Sequence, residues 1–145
     1  MAGDRSAAAL SAGGRDPELA GVLDQGLRGY NLAATGTTRE DRGSFSVKVT
    51  GADGEIIGGL AAWTWAGLCG ISLMWVHQAH RRDGWGAEIL AAAEAEARRR
   101  GCDRVRVSSF TFQAPGFYQK YGYAETGRTP GLPGGAEDVH MFKWL

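Results

Sequence analysis

Cysteine is scarce in this chain: only Cys69 and Cys102 occur among its 145 residues. They are not in a paired metal spacing and no metal site is expected. Both lie in segments that read as buried, and packed free thiols are the reading that fits a reducing cytosol. Net charge is missing as well. Sixteen Lys+Arg face sixteen Asp+Glu, so no global field favours nucleic acid or an anionic membrane, and neither is an expected partner. The one basic run, Arg98-Arg99-Arg100, sits at a helix end, where cations meet the C-terminal dipole. No apolar window reaches the length of a membrane span, and no charged region followed by an apolar one opens the sequence, so a cytoplasmic protein is expected and secretion is not. No Gly-Lys-Ser or Gly-Lys-Thr occurs, which excludes a phosphate-binding P-loop.

What is present is enough for one substantial core, with 43% hydrophobic residues. Residues 1–15 are Ala, Gly and Ser with scattered charge and read as a flexible segment, with Ala7 to Leu10 as a candidate edge strand. Residues 16–145 read as a single domain. Asp16-Pro17 is a helix start, and Leu19, Val22, Leu23, Leu27 and Tyr30 follow on one face, which predicts a helix packed on one side. Gly26 and Gly29 weaken its later half, and residues 31–41 read as a loop or a frayed second helix. From Ser44 the period becomes two, with Phe45, Val47 and Val49 leading to a turn at Gly51-Ala52-Asp53-Gly54. The return strand runs from Glu55 to Trp65, where Gly58-Gly59 marks a bulge or a close backbone approach. A third strand, Cys69 to Val76, reads as buried from Ile71 onward.

A long alanine-rich helix follows from about Trp85 to Arg100, with Ile89, Leu90, Ala93 and Ala97 inward and Glu94–Arg98 and Glu96–Arg100 paired on its exposed side. Gly101 supplies a left-handed stop. Arg104 to Phe110 is a strand, parallel to the third through a right-handed crossover. A short helix runs from Pro115 to about Tyr121, a strand covers 123–127, a Gly- and Pro-rich loop covers 128–135, and 138–145 closes the sheet. The order predicts an α/β fold whose mixed, mostly antiparallel sheet is flanked by helices.

Between the third strand and the long helix lies His77-Gln78-Ala79-His80-Arg81-Arg82-Asp83-Gly84-Trp85-Gly86-Ala87. Glycines, unsatisfied N–H groups of a first helical turn and the helix dipole together suit an anion. A dinucleotide fingerprint fits poorly, because its third glycine would fall at Ile89 and the loop follows an antiparallel meander. The pattern Arg81-x-x-Gly84-x-Gly86, placed after a meander and before strand, short helix and hairpin, resembles the Gcn5-related N-acetyltransferase (GNAT) family. Leu73-Met74-Trp75-Val76 is similar to that family's splayed strand, one of a splayed pair of parallel central strands. Phe117-Tyr118-Gln119-Lys120-Tyr121-Gly122-Tyr123 is similar to its FYxxxGF signature. The run from Phe110 to Tyr118 and the ending Phe142-Lys143-Trp144-Leu145 resemble a bacterial subgroup of small, single-domain members.

The resemblance implies an acetyl-coenzyme A site. Its pyrophosphate would meet the loop Arg81, Arg82, Asp83, Gly84, Trp85, Gly86 and Ala87, and its pantetheine arm would pair with Met74 and Val76, beside Trp75, like an added strand. Tyr118 would protonate the departing thiolate. Arg82 stands where glycine is usual and asks for a φ compatible with a side chain. Asp83 puts a negative charge near the phosphate, so its carboxylate is expected to face solvent or to pair with Arg81 or Arg82. Gln113 stands where asparagine is frequent, which leaves one cofactor hydrogen bond open.

No general base is named. His77, His80 and His140 read as structural or surface histidines, and ordered water is the alternative. On the acceptor side Tyr30 and Asn31 are the candidate polar contacts, with a helix cap by Asn31 as the bland account, and Trp63 and Phe112 are candidate aromatic walls. Arg106 reads as a snorkelling or ion-paired arginine rather than a substrate anchor. The expected activity is transfer of an acetyl group from acetyl-coenzyme A to the primary amine of a small molecule, by direct attack, because neither cysteine is placed for an acyl-enzyme. The alternatives are a protein lysine or N-terminal acceptor, or a coenzyme A-binding module without turnover. A homodimer is left open.

Overall fold

The computed structural model describes residue 3 and residues 5–145, so the flexible segment expected at 1–15 falls outside the described residues at positions 1, 2 and 4. Ala7 to Leu10 form no strand. Two compact units divide the chain, Met1–Thr38 and Arg39–Leu145.

The first unit is built on α1 (Pro17–Thr35). Asp16 caps it as expected, its Oδ1 accepting from Leu19 N at 2.9 Å, with Pro17 in the first turn where no partner for its nitrogen is needed. Gly26 and Gly29 do not stop it. The helix runs to Thr35 and ends on Gly36 at φ 69, so Tyr30 and Asn31 lie inside the helix and the Asn31 cap is replaced by a glycine one. Asn31 instead accepts the Thr35 hydroxyl on its carbonyl at 2.6 Å. The apolar stripe of Leu19, Val22, Leu23 and Leu27 is there, and among the described residues of the first unit nothing covers it.

The second unit carries a six-stranded sheet in the order β1-β2-β3-β4-β6-β5. β1 (Gly43–Thr50), β2 (Ile56–Trp65) and β3 (Leu68–Val76) form the predicted meander, antiparallel throughout. Gly58 and Gly59 are places of close approach: a Cβ on Gly59 would lie 2.5 Å from Val47 O and one on Gly58 3.1 Å from Trp75 O. α2 (Trp85–Arg99) then crosses back, and β4 (Arg104–Phe110) joins β3 in parallel, as the right-handed crossover demands. α3 (Pro115–Lys120) leads to β5 (Ala124–Thr129), and β6 (Asp138–Trp144) inserts between β4 and β5.

The core lies between the sheet and α2. Ile89, Leu90, Ala93 and Ala97 of α2 meet Leu60, Cys69, Val105, Val107, Val139 and Met141, and each large apolar side chain so buried contributes about 1.5–3 kcal/mol. Cys69 and Cys102 are buried free thiols, as read from sequence. Burial, aided by the nearby Cys102, pushes the Cys69 thiol up to about 11. One sequence expectation fails here. Glu94 is not on the exposed side pairing with Arg98; it is buried, with Lys143 Nζ donating to Oε1 at 2.7 Å and Oε2 at 3.0 Å and the Tyr123 hydroxyl donating at 3.3 Å. Glu96 does pair with Arg100 at 2.7 Å, and also with Arg99, and these two guanidiniums hold its carboxyl down at about 2. Among the described residues, no helix is long and apolar enough to cross a membrane.

Candidate functional site

The site begins with one unpaired residue. Ala61 pairs with Leu73 and Ala62 with Ile71, so Ser72 has no partner across β2 and forms a bulge. A bulge bends its strand and re-aims the side chains beyond it. β3 and β4 pair only from Leu68–Gly70 to Arg104–Arg106, while β4 stays on β6 as far as Phe110. The two parallel strands therefore splay at the bulge, and their facing edges from Ile71 and Val107 onward have no strand partner. Their separation opens a cleft of about 530 Å³. The stretch read as buried is correspondingly open: Leu73 is 74% exposed and Trp75 is exposed too.

Seven of the sequence candidates line this cleft, namely Met74, Trp75, Val76, Arg81, Phe112, Gln113 and Tyr118. Sequence reasoning missed Ile71, Ser72, Leu73, Val107, Ser108 and Ser109, which line it as well. Nothing in their local pattern distinguishes them from ordinary strand residues, because the cleft arises from register. Ser109 also has a local task, its buried hydroxyl accepting from Ala114 N at 3.2 Å and seating the start of α3.

Tyr118 is 7% exposed, and its hydroxyl donates to Met74 Sδ at 3.5 Å across the cleft. It is held from three sides. Its carbonyl accepts from Tyr121 N at 3.0 Å and Tyr123 N at 3.1 Å, and its ring meets Phe117 and Tyr123 edge-on at 5.2 and 5.7 Å. Burial raises the phenol above its ordinary value, so it is protonated at neutral pH and available as a donor. Gln113 Oε1 accepts from Phe110 N at 2.9 Å, which closes the turn after β4 and leaves the side chain only its Nε2 donors to offer a ligand.

The loop after β3 behaves as its composition asks. Arg82 adopts φ 74, the left-handed conformation of the glycine it stands in for, at a cost of about 1–2 kcal/mol. The Asp83 side chain is 58% exposed, and the ring it approaches is that of His80, with Nδ1 3.9 Å from Oδ2, rather than Arg81 or Arg82. Arg81 instead turns back, Nε donating to Val76 O at 3.0 Å. Gly84 caps α2 at φ 86, and no side chain caps the helix, so the N–H groups of Trp85, Gly86 and Ala87 are without a side-chain acceptor. Gly86 is required for a further reason that sequence did not reveal: a Cβ there would lie 3.2 Å from the Phe117 ring. An uncapped helix start beside two unpaired strand edges fits a ligand carrying both phosphate and amides, as coenzyme A does.

Of the acceptor-side candidates in the second unit, only Phe112 lines the cleft. Phe112 stacks on Phe110 at 5.3 Å at the cleft mouth. Trp63 lies elsewhere, over Gly70 and beside Arg42, Thr64 and Trp65, and is not among the cleft residues. Tyr30 and Asn31 belong to the first unit. The cleft residues include no histidine and no carboxylate. His77 Nδ1 accepts from Ala79 N at 3.0 Å, and His140 Nε2 meets Thr129 Oγ1 at 3.0 Å, both structural bonds.

Comparison with known proteins agrees with this geometry. A family model described as acetyltransferase (GNAT) domain matches residues 43–125. The chain is 38% identical over 105 residues to the blasticidin-S acetyltransferase of Streptomyces morookaense, covering 70% of this chain and 75% of that protein. It is 31% identical over 130 residues to acetyltransferase Atu2258 of Agrobacterium fabrum, covering 90% of each. The crystal structure of an acetyltransferase from Bacillus cereus superposes with a TM-score of 0.82 at 28% identity, over 94% of this chain and 98% of that one. Meander, splayed parallel pair and glycine loop thus occur together in a chain most of whose sheet matches one family, and this protein belongs to the GNAT family of acetyl-coenzyme A-dependent acetyltransferases.

Proposed function

We propose that the protein acetylates the primary amine of a small molecule by direct attack in a ternary complex. The observation that carries this reading is the splayed cleft with a buried, protonated phenol at Tyr118, no cysteine, and no histidine or carboxylate to activate its serines for an acyl-enzyme. Cys69, the nearer candidate in sequence, is buried in the core with its thiol held protonated, and it is not among the cleft residues. A relative that acts on blasticidin S supports a small acceptor.

Bound acetyl-coenzyme A would supply the reactive thioester. The N–H groups from Arg82 to Ala87 would hold its pyrophosphate, with Arg81 fixed on Val76 O shaping the loop and Asp83 turned outward. The free edge of β3 at Met74 and Val76 would pair with the pantetheine amides, with Trp75 and Gln113 at the sides of the arm. The amine nitrogen attacks the thioester carbonyl, a C–N bond forms and the C–S bond breaks. Tyr118 gives its proton to the departing thiolate sulfur and regains one from solvent, and the proton lost by the nitrogen passes to water, since the cleft offers no side-chain base.

The test is Tyr118→Phe in an assay of free thiol release with a panel of primary amines. The expected result is a fall in kcat of roughly 10²-fold or more, the ordinary contribution of a general acid, with acetyl-coenzyme A affinity unchanged. Wild-type protein that binds acetyl-coenzyme A but releases no thiol with any amine would leave a cofactor-binding module instead.

A further inference from the structure

A second cavity lies on the face of the sheet turned away from α2. Along β4, Val105, Val107 and Ser109 point into the core, so Arg106 and Ser108 point the other way. β6 places His140 opposite Ser108 and Phe142 opposite Arg106, on that same face. Together with Thr126 they line a depression of about 660 Å³. Val107 and Ser108 line both this depression and the splayed cleft, so the two cavities adjoin the same point of β4.

Arg106 is the unusual member. Sequence reading expected an ion-paired or snorkelling side chain, yet among the described residues no carboxylate pairs with it and none lines the depression. Its guanidinium sits over the Trp63 ring, 5.2 Å from the centroid. Three strands build that support. Trp63 pairs with Gly70, and Gly70 with Arg106, and any Cβ on Gly70 would fall 2.1 Å from the indole, so the glycine leaves the room in which the ring reaches Arg106. Neighbouring Arg104 is differently used, its Nε on Asp103 at 2.8 Å and its Nη2 on Ala66 O at 3.2 Å. A guanidinium resting on an aromatic face keeps the N–H donors in its plane for a second partner, and the planar fork suits a carboxylate.

We propose that this depression is the acceptor subsite and that Arg106, supported on Trp63, selects amines that also carry a carboxylate. The inference rests on the acetyl-transfer reading above and adds the substrate class to it. The acceptor's amine would point through the gap at Ser108 toward the cleft, and its carboxylate would lie on Arg106. Trp63, expected as an aromatic wall, is a positioning residue in this arrangement.

The experiment measures thiol release from acetyl-coenzyme A with matched amine pairs, each a carboxylate and its methyl ester: 3- and 4-(aminomethyl)benzoate, and β-alanine. Wild type and Arg106→Gln are compared, with Trp63→Leu as a variant that keeps the charge but removes its support. The expected result is a preference of wild type for the carboxylate of at least one pair. Arg106→Gln should raise KM for that carboxylate about 10–100-fold, the loss of one charge-assisted contact, and leave the ester within about twofold. Trp63→Leu should raise the same KM by a smaller factor without changing kcat for the ester. No pair with a carboxylate preference, or a preference that survives Arg106→Gln, overturns the subsite while leaving the acetyltransferase reading intact. No thiol release with any amine of the broader panel overturns both.

Discussion

Replacing either end of the Glu94–Lys143 pair should destabilise the sheet unit, and by unequal amounts. Removing one partner of a buried ion pair costs about 3–5 kcal/mol because the other charge is left without compensation. The two ends differ in their escape routes. The Lys143 side chain is 24% exposed and that of Glu94 only 9%, so an orphaned ammonium can reach water along its stem whereas an orphaned carboxylate cannot. Glu94→Leu should therefore cost about 2–3 kcal/mol and Lys143→Met about 3–4 kcal/mol. The double variant leaves only the Tyr123 hydroxyl without its acceptor and should cost about 1–2 kcal/mol. The resulting coupling energy is at least about 3 kcal/mol. Urea unfolding followed by tryptophan fluorescence reads this unit alone, because all five tryptophans lie between Trp63 and Trp144. A double variant whose loss equals the sum of the singles, or a Lys143→Met cost under about 1 kcal/mol, would refute the reasoning. The pair matters beyond stability, since Glu94 fixes the Tyr123 hydroxyl and Tyr123 supports Tyr118 through both ring and backbone.

Further tests use the loop and the core. Gly86→Ala gains up to about 1 kcal/mol of helix preference but places a methyl against Phe117; it should be at least about 1 kcal/mol more favourable in a Phe117→Leu background, and equal effects in both backgrounds would deny the contact. At Arg82, with φ 74, valine should be about 1–2 kcal/mol less stable than glycine in thermal unfolding, and equal stabilities would argue against the left-handed conformation. Cys69 titrates at about 11 against an ordinary value of 9.0. The folded-state value lies above the unfolded one, so the unfolded chain loses its proton first as pH rises. Its contribution is complete below pH 9 and is lost between pH 9 and 11, amounting to roughly 2–3 kcal/mol. Urea midpoints should fall over that range in wild type and fall less in Cys69→Ala; identical declines would assign the loss to other groups, such as the buried Tyr118 and Tyr123, whose phenols are also raised.

Local chemistry was legible in the sequence wherever one residue type performs one local task. Asp16-Pro17 opens a helix, Gly101 at φ 83 closes another, and alternation from Phe45 to Val49 makes a half-buried strand, each without reference to the rest of the chain. Glu94 shows the limit. Its spacing to Arg98 promised an exposed pair four residues apart, but the same residue lies on the flank of the α2 stripe that faces the sheet, and Lys143 arrives there from a strand 49 positions away. A buried, doubly bonded partner wins over an exposed one worth a few tenths of a kcal/mol, and no window on the helix contains that information. The extent of α1 was misread in the opposite sense, because Gly26 and Gly29 were read as weakening its later half and 31–41 as a loop or frayed second helix, whereas the helix runs to its left-handed cap at Gly36.

The site divides along the same line. The conformation of the loop after β3 was legible because glycine stands at fixed places near a helix start, and even its irregularity was visible: Arg82 in a glycine position requires the left-handed φ that it has. The cleft could not be found so directly. It exists because Ser72 is skipped in the pairing of β2 with β3, and a skipped residue looks like any other serine until both strands are in register. The same reasoning explains why Trp63 was read as a candidate acceptor wall and Arg106 as a snorkelling or ion-paired arginine. Each was judged on its own strand, whereas their common role follows from Gly70, a residue between them on a third strand whose missing side chain lets one reach the other. A glycine in mid-strand is conspicuous in sequence, but what fills the space it leaves is set by its neighbours on both sides. If Arg106 reads the acceptor as proposed, its support is written across β2, β3 and β4 together, and a substitution at Gly70 should alter acceptor preference as one at Arg106 does.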